Sequence, residues 1–170
     1  MDIATVMASD AGDQRSGVDV PCSESMIPLL SATRLTGTPS AMAAATLSYG
    51  ADPDDPWVGT EVLRTYADDG ARRAMTDLRT FISRCPSVAS SRFGDSYRYA
   101  TAPGPRLGDD SIHVSCSMTS GSGTLESGSI LVRIGTTLVA VQEVGNLSGD
   151  RKFLTQLVEA ALRRYQTTGS

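Results

Sequence analysis

The residues best suited to chemistry in this chain are three cysteines, Cys22, Cys85 and Cys116. Cys22 and Cys85 lie far apart and each adjoins a proline, whereas Cys116 lies in a run that alternates like a strand. No pair has the CxxC spacing of zinc or redox sites. The pattern indicates one long-range disulfide and one unpaired thiol, which would place the chain outside the cytoplasm. The alternative is a cytoplasmic protein with buried free thiols.

His113 is the only histidine in the chain, which excludes a site built from several histidines. Since the cysteines also lack metal-ligand spacing, we expect neither a metal nor a cofactor. His113 shares one face of a predicted strand with Ser115 and Ser117. On that face it could bind a ligand or transfer a proton, and the alternative is a solvated side chain.

The acidic clusters have a structural explanation. Asp54 and Asp55 stand between two prolines, and Asp68 and Asp69 directly precede a helical pattern. Neither cluster has the spacing of a calcium-binding loop. We therefore interpret them as a turn and a helix cap.

Arginines on predicted strands could recognise a carboxylate or a phosphate. Several aromatic side chains occupy the same predicted sheet, where a ligand could contact them. From these residues the sequence predicts the following ligand-binding set: Arg64, Tyr66, Tyr97, His113 and Arg133.

Length and composition fit one globular domain that contacts neither nucleic acid nor the membrane directly. The chain has 170 residues, and its formal net charge of −4 argues against nucleic acid as a partner. It has no run of the ~20 apolar residues that a membrane helix needs. Its N-terminus lacks the basic and apolar regions of a signal peptide. For an exported protein we therefore expect a signal or membrane anchor upstream, through which alone it would meet the membrane.

Hydrophobic periodicity divides the chain into a folded domain over 21–166, a weakly patterned helix remnant and loop over 1–20, and a frayed tail over 167–170. Residues 25–35 are apolar and suggest a helical turn near Cys22. The predicted strands are 41–49, 57–66, 93–100, 112–118, 130–134 and 138–144, with a Gly/Ser-rich turn at 120–128, and the predicted helices are 70–84 and 149–165.

These elements predict an α+β domain. Strands joined by short turns favour an antiparallel sheet, and each of the two amphipathic helices must bury its apolar stripe. The economical arrangement packs both helices on one face of the sheet. The opposite face would then form an open cleft that carries His113, Arg133, Arg64 and Tyr66.

Several segments together resemble a known family, the PknH-like extracellular domain. These segments, which cover most of residues 20–165, are VPC, LSYG, WVGTEVLRTYADDGARRAMTDLRTFISRCPSV, HVSCSM and ILVRIGTTLVAVQEVG. The family comprises the sensor portion of a mycobacterial receptor Ser/Thr kinase and parts of actinobacterial lipoproteins.

The resemblance implies an antiparallel sheet with helices on one side and a cleft that receives a ligand. It implies a disulfide between Cys22 and Cys85, which would stabilise the fold by ~4 kcal/mol in the chain-entropy model. A second family disulfide would start at Cys116 and end near Val144, where this chain has no cysteine. Cys116 is therefore expected to be a free thiol.

We accordingly expect an extracytoplasmic, non-catalytic sensor domain for a small molecule or a component of the cell envelope. The family contributes no catalytic residues. One alternative is a protein–protein interaction module of a surface lipoprotein, which would act through an exposed strand edge or the loop 102–110. Another is a pathway enzyme that uses the cleft, with His113 as its acid or base.

Overall fold

The computed structural model of the protein describes Cys22 and residues 39–49, 57–89, 94–143 and 151–168. These ranges contain seven strands and two helices. In chain order they are β1 (Ala41–Tyr49), β2 (Trp57–Thr65), α1 (Gly70–Arg84), β3 (Ser87–Ala89), β4 (Ser96–Pro103), β5 (Asp110–Ser120), β6 (Gly123–Ile134), β7 (Thr137–Glu143) and α2 (Arg151–Thr168).

All the strands form one antiparallel sheet in the order β1-β2-β7-β6-β5-β4-β3. The predicted hairpin of β1 and β2 is confirmed, with Ala41 opposite Thr65 at one end and Ala45 opposite Glu61 in the middle. The alanines of β1 favour a helix intrinsically. Pairing along the whole of β2 overrides that preference, because strand formation depends chiefly on the neighbouring strand.

Helix α1 has the bounds that its apolar spacing predicts. Its buried stripe recurs every three to four residues, and Pro86 prevents it from continuing. Asp69 occupies the predicted N-cap position, but its carboxylate binds Arg72 and Arg73 instead of a backbone N–H. The buried residues of the stripe are Ala71, Ala74, Met75, Leu78, Phe81 and Ile82.

The two helices pack on opposite faces of the sheet. In β6, Leu131 belongs to the core cluster of α1, whereas its neighbours Ile130 and Val132 belong to the cluster of α2. In β7, Leu138 belongs to the core cluster of α1 and Val139 to that of α2. Because successive side chains of a strand point to opposite faces, each helix covers a different side.

The protein is therefore an α+β domain with a helix on each side of its sheet. The expected packing of both helices on one face is wrong, because β6 and β7 present apolar side chains on both faces and each face needs a cover. The open cleft is not confirmed, since Arg64 and Tyr66, which were expected to line it, are buried. We call the two sides the α1 face and the α2 face.

Several element boundaries differ from those predicted. The turn expected over 120–128 is confined to Gly121 and Ser122, because β6 pairs with β5 as far as Gly123. Strand β4 begins three residues later than expected. The three-residue strand β3, which lies between Pro86 and β4, was not predicted.

The disulfide between Cys22 and Cys85 is present, with the two Cα atoms 5.5 Å apart. Cys85 is buried at the C-cap of α1, so the bond fixes the end of that helix. Cys116 is a free, buried cysteine, as expected.

Some predicted features lie outside the described residues. These are the N-terminal remnant over 1–20, the helical turn over 25–35 and the Pro-Asp-Asp-Pro turn over 53–56. Helix α2 includes residues 167 and 168, which the sequence pattern assigned to the tail.

Candidate ligand-binding site

The structure separates the five predicted binding residues. By strand alternation and register, Arg64, Tyr66, Tyr97 and Arg133 are on the α1 face. His113 pairs with Ile130 and is therefore on the α2 face. The sheet lies between His113 and the other four, so the five cannot contact one small ligand.

Arg64 and Tyr66 are buried at one end of the α1 face. Arg64 is only 4% exposed, and burial lowers the pKa of its guanidinium, while the neighbouring Tyr66 acts in the opposite sense. A buried cation needs a polar or oppositely charged neighbour, because burying a charge costs free energy unless it is compensated. Arg64 thus provides positive charge inside the protein, beside Tyr66.

Arg133 stabilises the β6–β7 turn. Its Nη1 donates to Asp109 at 3.1 Å and to the backbone oxygen of Gly135 at 3.2 Å. The same oxygen of Asp109 also accepts the N–H of Gly135 at 2.7 Å. The neighbouring Gly108 has φ +62°, and a Cβ there would lie 2.4 Å from the backbone oxygen of Arg133, so only glycine fits this loop.

Tyr97 is half-buried on β4, four strands away from β2. At ~4.8 Å between strands, that places it about 19 Å from Arg64 across the sheet. Its ring stacks with Tyr99 at a centroid distance of 6.4 Å. Burial, together with Asp95 and Cys116, raises its pKa. Tyr97 therefore belongs to a separate aromatic cluster.

Cys116 lies in that aromatic cluster as well. Burial raises the pKa of its thiol, whereas contacts with Tyr99 and Ser127 act in the opposite sense. Burial likewise raises the pKa of Tyr99. A buried thiol that stays protonated is a poor nucleophile. The environment thus supports a structural role for Cys116.

His113 lies beneath the first turn of α2. The Cβ position of a residue at 128 would be 3.3 Å from Nε2 of His113 and 3.7 Å from Oε2 of Glu143, so Gly128 leaves room for both side chains. Gly128 also donates its N–H to Glu143 at 3.1 Å. Burial, and secondarily the charge of Arg151, lowers the pKa of His113. This favours a neutral imidazole, whose Nε2 atom has no hydrogen bond to any described residue.

The feature that sequence reasoning missed is a row of polar side chains on the α1 face. Thr60 of β2 is opposite Gln142 of β7, which is opposite Ser129 of β6. Three neighbouring strands therefore align these side chains over two strand spacings, or about 10 Å. We call these three residues the polar row.

One side-chain oxygen of each residue in the polar row is buried and has no hydrogen bond to a described residue. Thr60 is 0% exposed and Ser129 1% exposed, and the side-chain oxygen of Gln142 is buried too. Within the described part of the chain, nothing forms a hydrogen bond to Thr60 Oγ1, Gln142 Oε1 or Ser129 Oγ. A buried polar atom without a partner costs roughly 1–3 kcal/mol, so two hydroxyls and an amide oxygen in one row are unusual and call for an explanation.

Alternation within each strand predicts which of its side chains share a face, but it does not predict which strands pair or in what register. The polar row depends on the pairing of β2 with β7, which is distant in sequence, and on the register of the β6–β7 hairpin. The residues also have ordinary types, so composition gives no signal. Register is what brings them together.

Comparison with protein-family models, with curated proteins and with solved structures gives no match for this chain. The resemblance to PknH-like domains therefore stays a prediction. Among the described residues, no helix is long and apolar enough to cross a membrane. Those residues also contain no group of three or more His, Cys, Asp or Glu side chains arranged to hold a metal ion.

Proposed function

We propose that this protein is a non-catalytic ligand-binding domain that works as a sensor outside the cytoplasm. Its ligand would be a small molecule or a component of the cell envelope, held against the α1 face. The observation that carries the proposal is the polar row, whose buried oxygens have no hydrogen-bond partner among the described residues. A bound molecule that hydrogen-bonds these atoms would recover the free energy that their burial costs.

Arg64 and Tyr66 extend the proposed site along β2. Arg64 is four residues from Thr60 on the same side of the strand, a distance of about 13 Å. Between them lies Val62, which is apolar and buried. A ligand along β2 would therefore meet the hydroxyl of Thr60, the apolar side chain of Val62 and the positive charge of Arg64 in turn.

The position of His113 favours binding over catalysis. A proton transfer to a ligand requires the acid or base within hydrogen-bond reach. His113 is on the α2 face and the polar row is on the α1 face, with the sheet between them. A molecule bound at the polar row therefore has no access to the imidazole.

The disulfide supports a location outside the cytoplasm. The bond between Cys22 and Cys85 persists in oxidising compartments and is reduced in most cytosols. The proposed kinship with sensor domains of receptor kinases and with lipoproteins agrees with that location. The upstream anchor that such proteins use is part of the proposal.

The proposal can be tested by thermal shift against a panel of envelope lipids, glycans and metabolites. We expect at least one compound to raise the melting temperature of the oxidised protein, since a ligand that binds only the folded state stabilises it. Thr60→Val and Ser129→Ala should each weaken the affinity for that compound about 2–10-fold, corresponding to one hydrogen bond. Ser115→Ala, a serine of the α2 face, is the matched control and should bind like the wild type.

Two results would contradict the proposal. One is the absence of any stabilising compound, with a partner protein recovered by pull-down instead. The other is a stabilising compound whose affinity is unchanged in the double variant Thr60→Val/Ser129→Ala.

A further inference from the structure

Within the described residues, strand β1 is an edge of the sheet, with no other strand on its outer side. It has nine residues, pairs with β2 on one side, and contains neither a charged residue nor a proline. Exposed edges usually carry charges, prolines or bulges, because a bare edge is a template for another strand. The opposite edge differs, since β3 has only three residues and β4 ends at Pro103.

The register shows which backbone groups of β1 point outward. Tyr66 donates its N–H to Thr136 of the β6–β7 turn, so residues of β2 in phase with Tyr66 direct their backbone groups toward β7. The residues out of phase direct theirs toward β1, where they meet Ala43 and Ala45. Met42, Ala44 and Ser48 therefore direct their N–H and C=O groups away from the sheet.

We propose that two copies of this chain pair through β1 in antiparallel fashion, around a two-fold axis at Ala45. In this register Ala45 lies opposite Ala45 of the second copy, and all nine residues of each strand overlap. Any other symmetric register shortens the overlap. The outward groups of Met42 then lie opposite those of Ser48, so the ladder continues from one sheet into the other.

A second copy fits this edge better than a charged or bulky strand would. The strand has no charged residue, so self-pairing avoids the destabilising contact between like charges. The side chains of Ala43 and Ala45 are exposed and small, and they allow a close approach of the two strands. In the proposed register Ala43 would meet Leu47 of the second copy, and Leu47 already packs against the α2 core.

Cross-linking tests the register directly. Ala45 would form a non-hydrogen-bonded pair with itself, with the Cα atoms about 4.5 Å apart, a distance that a disulfide spans. Ala45→Cys should therefore give a covalent dimer on mild oxidation. Ala43→Cys is the matched control, because the two introduced sulfurs would be offset by four residues, or about 13 Å. The native free thiol, Cys116, is buried and should not compete.

Light scattering coupled to gel filtration, over a range of concentrations, tests the dimer itself. The wild type should show a doubled mass at high concentration. Ala44→Pro removes an outward N–H, so it should give a folded monomer with near-normal melting temperature. Ala43→Pro removes a bond to β2 and should lower the melting temperature instead.

Three results would overturn the proposal. The first is a wild-type protein that stays monomeric at the highest concentration measured. The second is a dimer that persists in Ala44→Pro, which would place the interface elsewhere. The third is cross-linking of Ala43→Cys as readily as Ala45→Cys, which would indicate another register or random collision.

Discussion

Two buried threonines on opposite faces of the sheet differ in their hydrogen bonding. On the α2 face, Thr137 is 1% exposed and its hydroxyl bonds both Thr65, at 3.1 Å, and Tyr165 of α2, at 3.0 Å. On the α1 face, Thr60 is equally buried, yet no described residue bonds its hydroxyl. The same residue type is thus structurally satisfied on one face and unsatisfied on the other. Under the proposed function, the hydrogen-bonding capacity that Thr60 leaves unused would be available to a ligand.

The largest expected effect comes from removing the disulfide. Because Cys85 is at the C-cap of α1, the loss should affect the α1 face more than the α2 face. Cys22→Ala/Cys85→Ala should lower the free energy of unfolding by about 4 kcal/mol, because the loop that the bond closes spans 63 positions. Urea denaturation measures the loss. Hydrogen exchange should show that amides of α1 lose more protection than those of α2. Equal loss in both helices would mean that the faces unfold as one unit.

The next effect compares the two threonines. Thr137→Val should destabilise the protein by about 1–3 kcal/mol, because Thr65 and Tyr165 each lose a buried partner. Thr60→Val replaces an unsatisfied hydroxyl by a methyl group, so the ligand-free protein should be unchanged or more stable. Urea denaturation of both variants measures the contrast. A loss at Thr60 as large as that at Thr137 would show that the Thr60 hydroxyl is structurally satisfied.

A smaller effect should appear in acid, at the ion pair between α1 and the start of β5. Arg79 forms two hydrogen bonds to Asp110, at 2.7 and 2.8 Å, and holds the pKa of that carboxyl below its usual 3.8. A lowered pKa contributes stability above pH 3.8, which is lost as the pH falls through the folded value. Arg79→Met should flatten the stability curve between about pH 4 and 2. An unchanged curve would show that this partly exposed pair contributes nothing.

The smallest effect concerns the α2 face near neutral pH. The pKa of His113 lies below its usual 6.5 in the folded state, chiefly because of burial. The unfolded chain therefore binds a proton more readily, so stability is complete above pH 6.5 and decreases as the pH falls below it. His113→Gln should remove this decrease between about pH 7 and 5. NMR titration of the imidazole checks the direction, and a pKa above 6.5 would contradict it.

Local patterns in the sequence predict most of the elements but not the layers. Helix α1 follows from its spacing, and the hairpin of β1 and β2 follows from its turn and β-branched residues. The placement of α2 also has a signal in the sequence. Ile130–Val132 and Leu138–Val141 are unbroken apolar runs, which are typical of strands covered on both faces. Such runs demand a helix on each side of the sheet.

The candidate site is less predictable for a physical reason. Arg64 and Tyr66 could be singled out by type, whereas Thr60, Gln142 and Ser129 are distinguished only by burial without partners. That property belongs to the packed structure, because it depends on strand register and on which side-chain polar atoms find no hydrogen-bond partner. The Gly/Ser-rich start of β6 favours a turn by composition, but pairing with β5 overrides its low strand propensity.

The cross-link at the end of α1 also determines how the protein would carry mechanical load. Tension applied to the chain at Cys22 passes through sulfur to Cys85 and then into β3 and β4. Strands β1 and β2 and helix α1 all lie inside the closed loop, so a pull from that side bypasses them. The proposed dimer edge in β1 and Thr60 of the polar row therefore do not carry this force, which could otherwise separate their strands from the sheet.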